Sequence, residues 1–198
     1  TLWEEVRNYH KSDFNKILTE ISEWLGNPLT YETPQKNIQR NFTDDLGKPT
    51  AKWDYFDKNN KLIACVYRYD TEDGKEFRVW DVKNRKAKSP DPRPLYNIPG
   101  IASAKKIILV EGEKSADTLI AYGLTATTAM FGANAPINKT DWSPLIGKEV
   151  IIWPDNDEAG KEYARKAAEH LLKVASFVSL ITPPQYKAHN WDAADAIA

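Results

Sequence analysis

The chain has 198 residues, with 27 Lys+Arg against 28 Asp+Glu and a formal net charge of -1. With 41% hydrophobic and 11% aromatic residues it can bury a core, which excludes global disorder. Its one cysteine, Cys65, excludes an intramolecular disulfide or a Cys-rich zinc site, and the near-neutral balance excludes gripping nucleic acid by bulk charge alone.

No apolar run approaches the ~18 residues of a membrane span and no secretory signal is visible, so a cytoplasmic protein is expected. The chain opens on Thr1 and closes on Ala-Asp-Ala-Ile-Ala inside a helix-like pattern, so a piece of a longer polypeptide is expected.

Residues 12–25 place Phe14, Ile17, Leu18, Ile21, Trp24 and Leu25 at helical spacing. Ser12 or Asp13 can cap the start and Gly26 the end, which predicts an amphipathic helix. Residues 27–49 turn to Pro, Thr, Asn, Gln and Asp and read as a linker. The segments 51–57, 62–70 and 76–81 are rich in aromatic and β-branched residues. Between them stand Lys58-Asn59-Asn60 and Thr71-Glu72-Asp73-Gly74, so a small antiparallel meander is expected. Residues 83–99 are basic and proline-rich and read as extended and exposed.

Past Gly100 the pattern alternates. Short apolar runs at 106–110, 125–131, 150–153 and 177–181 are interleaved with helical patterns at 114–122 and 158–173. That order predicts an α/β unit with a parallel sheet flanked by helices, preceded by a small β-rich subdomain. The expected divisions are a helix and linker over 1–49, a β-rich part over 50–100 and the α/β domain over 101–198.

Two of the apolar runs end in acid: Lys-Ile-Ile-Leu-Val runs into Glu111-Gly112-Glu113-Lys114, and Val-Ile-Ile-Trp-Pro into Asp155-Asn156-Asp157-Glu158-Ala159-Gly160. Sites in open parallel sheets form at the carboxyl ends of strands. If the segment is extended, Asp155 and Asp157 face one side. Clustered carboxylates raise one another's pKa unless a cation joins them, and an all-oxygen set favours Mg²⁺ or Mn²⁺ over zinc. The plainer alternative is that such acids cap helices and keep loops soluble.

Gly112-Glu113-Lys114-Ser115 imitates the tail of a phosphate-binding P-loop, but that motif needs Gly directly before Lys. The Asp-x-Asp pair also resembles phosphatases with an aspartyl nucleophile, which carry it on their first strand. His10, His170 and His189 are scattered and give histidine catalysis little support.

Taken together, the Glu111-Gly112-Glu113-Lys114-Ser115-Ala116-Asp117 stretch and the Asp155-Asn156-Asp157-Glu158-Ala159-Gly160 stretch resemble the Toprim domain. More narrowly they resemble the Toprim of DnaG-type primases and of phage- and plasmid-type primases or primase-helicases. The likeness runs from about Arg93 to the C-terminus. Gly123-Leu124, Thr127-Thr128 and the Gly132 loop fit the family's second strand and turn. Upstream, residues 13–26 resemble the helix after the zinc ribbon of such primases, and residues 66–80 with Pro94-Leu95-Tyr96 resemble the segment before their Toprim.

The resemblance implies acid-base chemistry or metal binding at Glu111, and divalent Mg²⁺ or Mn²⁺ at Asp155 and Asp157. Asp192 and Asp195 resemble a later acidic pair of the family, with helix capping an equal explanation. Many relatives carry a carboxylate four residues after the motif Glu. This chain has Ser115 there, so either that acid is lost or Asp117 takes its place. Lys114 is expected to meet nucleotide.

Arg68, Lys75, Arg78, Lys83, Arg85, Lys86, Lys88 and Arg93 concentrate between the meander and the first parallel strand, interleaved with Tyr67, Tyr69, Trp80 and Tyr96. Cations neutralise backbone phosphates and aromatics stack bases, which suits a single-stranded DNA template. The alternative is a solvated edge whose lysines block aggregation, with the aromatics in the core. The expected function is primer synthesis from nucleoside triphosphates on single-stranded DNA, with a replicative helicase fused or recruited. A Toprim nuclease and a non-catalytic Toprim module binding DNA or a helicase are the alternatives.

Overall fold

A computed structural model describes residues 46–184 and 186–197. The helix expected at 12–25 and most of the linker expected at 27–49 lie outside the described residues.

Three strands form an antiparallel sheet in the order β1-β2-β3: β1 (Ala51–Phe56), β2 (Leu62–Thr71) and β3 (Gly74–Asp81). The β2–β3 hairpin turns through Glu72-Asp73, with Thr71 opposite Gly74. Gly74 takes φ +133, a conformation that L side chains rarely adopt, so the Asp-Gly signal marks a real turn.

The second sheet is parallel, in the order β5-β4-β6-β7: β4 (Lys106–Val110), β5 (Ala126–Thr128), β6 (Glu149–Trp153) and β7 (Phe177–Leu180). Helices α1 (Ile98–Ala102), α2 (Glu113–Ala121), α3 (Glu158–Leu171) and α4 (Ala193–Ile197) flank it. Alternation along β4 divides the core. Ile107 and Leu109 join Tyr163, Ala164, Ala167 and Leu171 of α3. Ile108 and Val110 join Ala116 and Leu119 of α2 with Trp191 and Ala193. A sheet buried on both faces needs near-continuous apolar strands, and Ile-Ile-Leu-Val and Val-Ile-Ile-Trp supply them.

The two sheets share a third core. Trp53, Tyr55, Ala64 and Val66 of the antiparallel sheet pack with Met130, which follows β5.

Two expectations need correction. The run 125–131 yields only the three-residue strand β5, because the chain then turns: Phe131 and Gly132 both take positive φ and open a series of 3-10 turns. Residues 83–99 are not uniformly extended and exposed. Positions 83–88 are exposed, whereas Pro94 and Leu95 are buried and Ile98 starts α1. Lys148 donates from Nζ to the carbonyls of Ile101, Ala102 and Ala104 at 2.9, 2.9 and 2.6 Å, satisfying the end of that short helix.

Candidate acidic site at the strand ends

Glu111 follows the last residue of β4, and Asp155 stands two residues past β6, its paired neighbour. Parallel pairing in register, with Val110 opposite Trp153, brings these two loops side by side. The Asp155 N–H donates to Glu111 Oε2 at 3.3 Å, and the Ala133 N–H also donates to the Glu111 carboxylate.

Two glycines make room for this carboxylate. A Cβ at Gly160 would stand 2.5 Å from Glu111 Oε2 and 2.7 Å from the Asp155 carbonyl oxygen. A Cβ at Gly132 would stand 2.1 Å from the Glu111 carbonyl oxygen, at φ +54. Only glycine permits the 132 loop and the first turn of α3 to close on the acid.

The electrostatics mark a cluster. Burial, with the charges of Asp157 and Asp192, pushes Glu111 up to about 7 against the lowering effect of its N–H donors. Burial pushes Asp155 up to about 8, helped by the charges of Glu111, Asp192, Asp157 and Asp195. The fold therefore brings all five sequence-identified acids into one electrostatic neighbourhood.

The acids reach it by different means. Asp155-Asn156-Asp157 is not extended: the Asp157 N–H bonds back to the Asp155 carbonyl at 2.9 Å. Asp157 is the N-cap of α3, its Oδ1 accepting from the Gly160 N–H at 2.6 Å. Asp192 and Asp195 cap reciprocally, the Asp195 N–H donating to Asp192 Oδ1 at 2.8 Å and the Asp192 N–H to Asp195 Oδ2 at 3.3 Å. Capping and proximity to Asp155 hold at once.

Asn156 ties that last segment in place. Its Nδ2 donates to the carbonyls of Lys187 and Ala188 at 3.0 and 3.1 Å, and its N–H to the Trp191 carbonyl at 2.9 Å. In the sequence Asn156 carries no signal beyond its place between two acids.

Asp117 does not join the cluster. Its Oδ2 accepts from Trp53 Nε1 at 2.9 Å and its Oδ1 from the Tyr96 hydroxyl at 2.7 Å. Ser115 is buried, and Glu113 accepts from the Tyr55 hydroxyl at 2.6 Å. Both oxygens of Asp117 are thus engaged by Trp53 of β1 and by Tyr96.

The oxygen donor set is one for a hard divalent ion, and a cation would offset both the burial and the mutual repulsion that raise Glu111 and Asp155. Glu111, Asp155 and the free oxygen of Asp157 are the residues that would hold it. Among the described residues no three such side chains stand close enough in this structure to ligate one ion together.

The basic residues separate into groups. Lys75, Lys83, Arg85, Lys86 and Lys88 are exposed, as is Lys114 in the first turn of α2. Arg68 pairs with Asp70 at 2.6 Å and Arg78 with Glu76 at 2.7 Å. Arg93 lies over the Phe131 ring at 4.8 Å, and its backbone bonds to Lys139 and Asp141. The interleaved aromatics are not offered for stacking. Tyr67 and Tyr69 are buried with Cys65, Trp80 packs against them, and Tyr96 is committed to Asp117. Their core role is the alternative weighed from the sequence.

Residues 106–186 match the Toprim domain family. DNA primase DnaG of Aeropyrum pernix is 36% identical over 70 residues, covering 35% of this chain and 17% of that protein. The chain thus spans less than a fifth of that curated relative. A solved structure of the Aquifex aeolicus primase, comprising zinc-binding and RNA polymerase domains, aligns over 95% of this chain and 46% of its own. Its TM-score is 0.58 at 18% identity. A primase domain of bacteriophage T7, solved with the lagging-strand DNA polymerase, an RNA/DNA hybrid and dTTP, aligns over 70% of this chain and 67% of its own. Its TM-score is 0.55 at 22% identity.

Proposed function

We propose, from the premise that residues 106–186 form a Toprim domain, that this chain is the catalytic part of a DNA primase. It would join nucleoside triphosphates into a primer on single-stranded DNA. The observation that carries the reading is the convergence of Glu111, Asp155, Asp157, Asp192 and Asp195 at the carboxyl ends of β4 and β6. The overall fold shared with solved primases supports it.

The chemistry follows from the residues. A bound Mg²⁺ or Mn²⁺ supplies charge neutralisation for the triphosphate and for the attacking and leaving oxygens. Asp155 and Asp157 would hold it, with Asp192 and Asp195 as outlying charges that keep the pocket attractive to cations. With a cation beside it, Glu111 would be ionised and able to accept a proton from an attacking hydroxyl. Gly132 and Gly160 let backbone approach closely and hold the Glu111 carboxylate where the loops meet.

The exposed residues Lys75, Lys83, Arg85, Lys86 and Lys88 form the template-facing group in this reading, neutralising phosphates without base stacking. Lys114, at the exposed start of α2, would meet a nucleotide phosphate. A replicative helicase, fused or recruited, is the expected partner of the whole protein. Among the described residues no helix is long and apolar enough to cross a membrane.

Primer synthesis and phosphodiester cleavage, assayed side by side on the full-length protein with Mn²⁺, test the reading. Synthesis lost in Asp155→Asn supports it. Asp155-dependent cleavage without any primer extension would assign the same acids to a nuclease. Neither activity, with DNA or helicase binding intact, would leave a non-catalytic module.

A further inference from the structure

Glu113 and Asp117 lie four residues apart on α2, hence on one face of that helix. That face meets the antiparallel sheet. Tyr55 gives its hydroxyl hydrogen bond to Glu113 at 2.6 Å, and Trp53 gives its indole hydrogen bond to Asp117 at 2.9 Å. Tyr96, whose ring meets Tyr55 edge-on at 5.3 Å, supplies the second donor to Asp117.

The arrangement is unusual in its cost. Buried carboxylates ordinarily sit beside a cation. Among the described residues every side chain that donates to these two carboxyl groups is neutral, and the charged group that bears on Glu113 is another acid, Asp117. A well-packed apolar pair would join a sheet to a helix with less desolvation. What the carboxyl groups add is direction, because a hydrogen bond fixes the relative placement of donor and acceptor where apolar contact does not.

The direction matters because of where α2 begins. Only Gly112 separates Glu113 from Glu111. Gly112 caps α2 without a side-chain hydrogen bond, so the first turn is anchored through Glu113 instead. On the other side the Glu111 carbonyl is pressed against Gly132. The acid loop is thereby held from both ends.

We infer that Glu113 and Asp117 are positioning residues, a clasp by which β1 fixes the acid loop and hence where Glu111 stands relative to Asp155. The inference rests on the acidic site being a cation site, as proposed above. It also goes further, because it makes the antiparallel sheet part of the site's geometry.

The test combines two readouts on the full-length protein: hydrogen exchange of the amides at 111–114, and Mn²⁺ affinity by calorimetry. Trp53→Phe with Tyr55→Phe removes donors while keeping rings. We expect exchange at 111–114 to quicken at least tenfold, exchange in β2 and β3 to stay as it was, and Mn²⁺ affinity to fall several-fold. Glu113→Gln keeps an acceptor for Tyr55 without the charge and is expected to stay within twofold of the parent in both readouts. Glu113→Leu should behave like the double variant.

Unchanged exchange and affinity in the double variant would overturn the clasp. So would equal losses in Glu113→Gln and Glu113→Leu, which would make Glu113 a charge of the site and not an anchor. If the double variant loses its cooperative melt, Tyr55→Phe alone carries the same expectations. If the parent protein binds no Mn²⁺, the cation-site reading fails by itself, and the exchange measurement alone decides the clasp.

Discussion

Replacing Asp155 with Asn should stabilise the metal-free protein at alkaline pH while removing its response to metal. Burial and the surrounding acids push Asp155 from an ordinary 3.8 to about 8. The folded state therefore holds this proton more tightly than the unfolded state. The stability so gained is fully present below 3.8, declines as pH rises, and is gone once pH passes about 8. Each tenfold difference in proton affinity is about 1.4 kcal/mol, which sets an upper bound near ~6 kcal/mol. The group keeps partial solvent contact, so screening reduces this to roughly 2 kcal/mol. Asn has nearly the same shape and no charge to bury. At pH 8 in chelator the variant should melt about 4–8 °C above the parent, and near pH 4 the two should coincide. Added Mn²⁺ should then raise the parent's Tm and leave the variant's unchanged, by mass action on the folded state. Thermal melts followed by circular dichroism across pH 4–9 make the measurement. A variant no more stable than the parent at pH 8, or a difference independent of pH, would show that Asp155 carries no buried charge there.

Other substitutions follow from contacts already described. Gly160→Ala places a methyl 2.5 Å from Glu111 Oε2; it should cost about 1–3 kcal/mol in chemical denaturation and abolish detectable Mn²⁺ binding. Tyr163 buries a hydroxyl with no hydrogen-bond partner among the described residues, so Tyr163→Phe should raise stability by about 1 kcal/mol; a lowered Tm would show that the hydroxyl is bonded. Asn156→Ala removes two side-chain hydrogen bonds to the 187–188 backbone, costing about 1–2 kcal/mol, and should quicken amide exchange at 187–192. Replacing Arg85, Lys86 and Lys88 with Ala should weaken single-stranded DNA binding and reduce its salt slope by roughly 2; an unchanged slope places the template elsewhere.

The parts of this fold that announce themselves in the sequence are those held by local repetition. Ile-Ile-Leu-Val and Val-Ile-Ile-Trp are apolar on both faces because helices cover both, and each ends in acid where the sheet ends. Glu111, Asp155 and Asp157 were legible for that reason. Asp192 was legible only through family likeness, because Asn156 brings it near by hydrogen bonds across more than thirty residues.

The clasp was not legible at all. Trp53 and Asp117 are 64 positions apart, and no local period records their bond. The same holds for the aromatics of β2. Tyr67 and Tyr69 alternate with Arg68 as a base-stacking surface would, yet they fill the antiparallel sheet's own core. Period-two alternation shows which residues share a face, and what that face meets is decided by distant chain.

The proposed role of the acids at the ends of β4 and β6 is nucleotidyl transfer. The most direct measurement is primer synthesis by the full-length protein carrying Glu111→Gln, with Mn²⁺, single-stranded template and triphosphates. The substitution keeps size and one acceptor oxygen but cannot take a proton or supply charge. The expected result is loss of primer synthesis by at least a hundredfold with template binding unchanged. Primers made at the parent's rate by Glu111→Gln would contradict the claim.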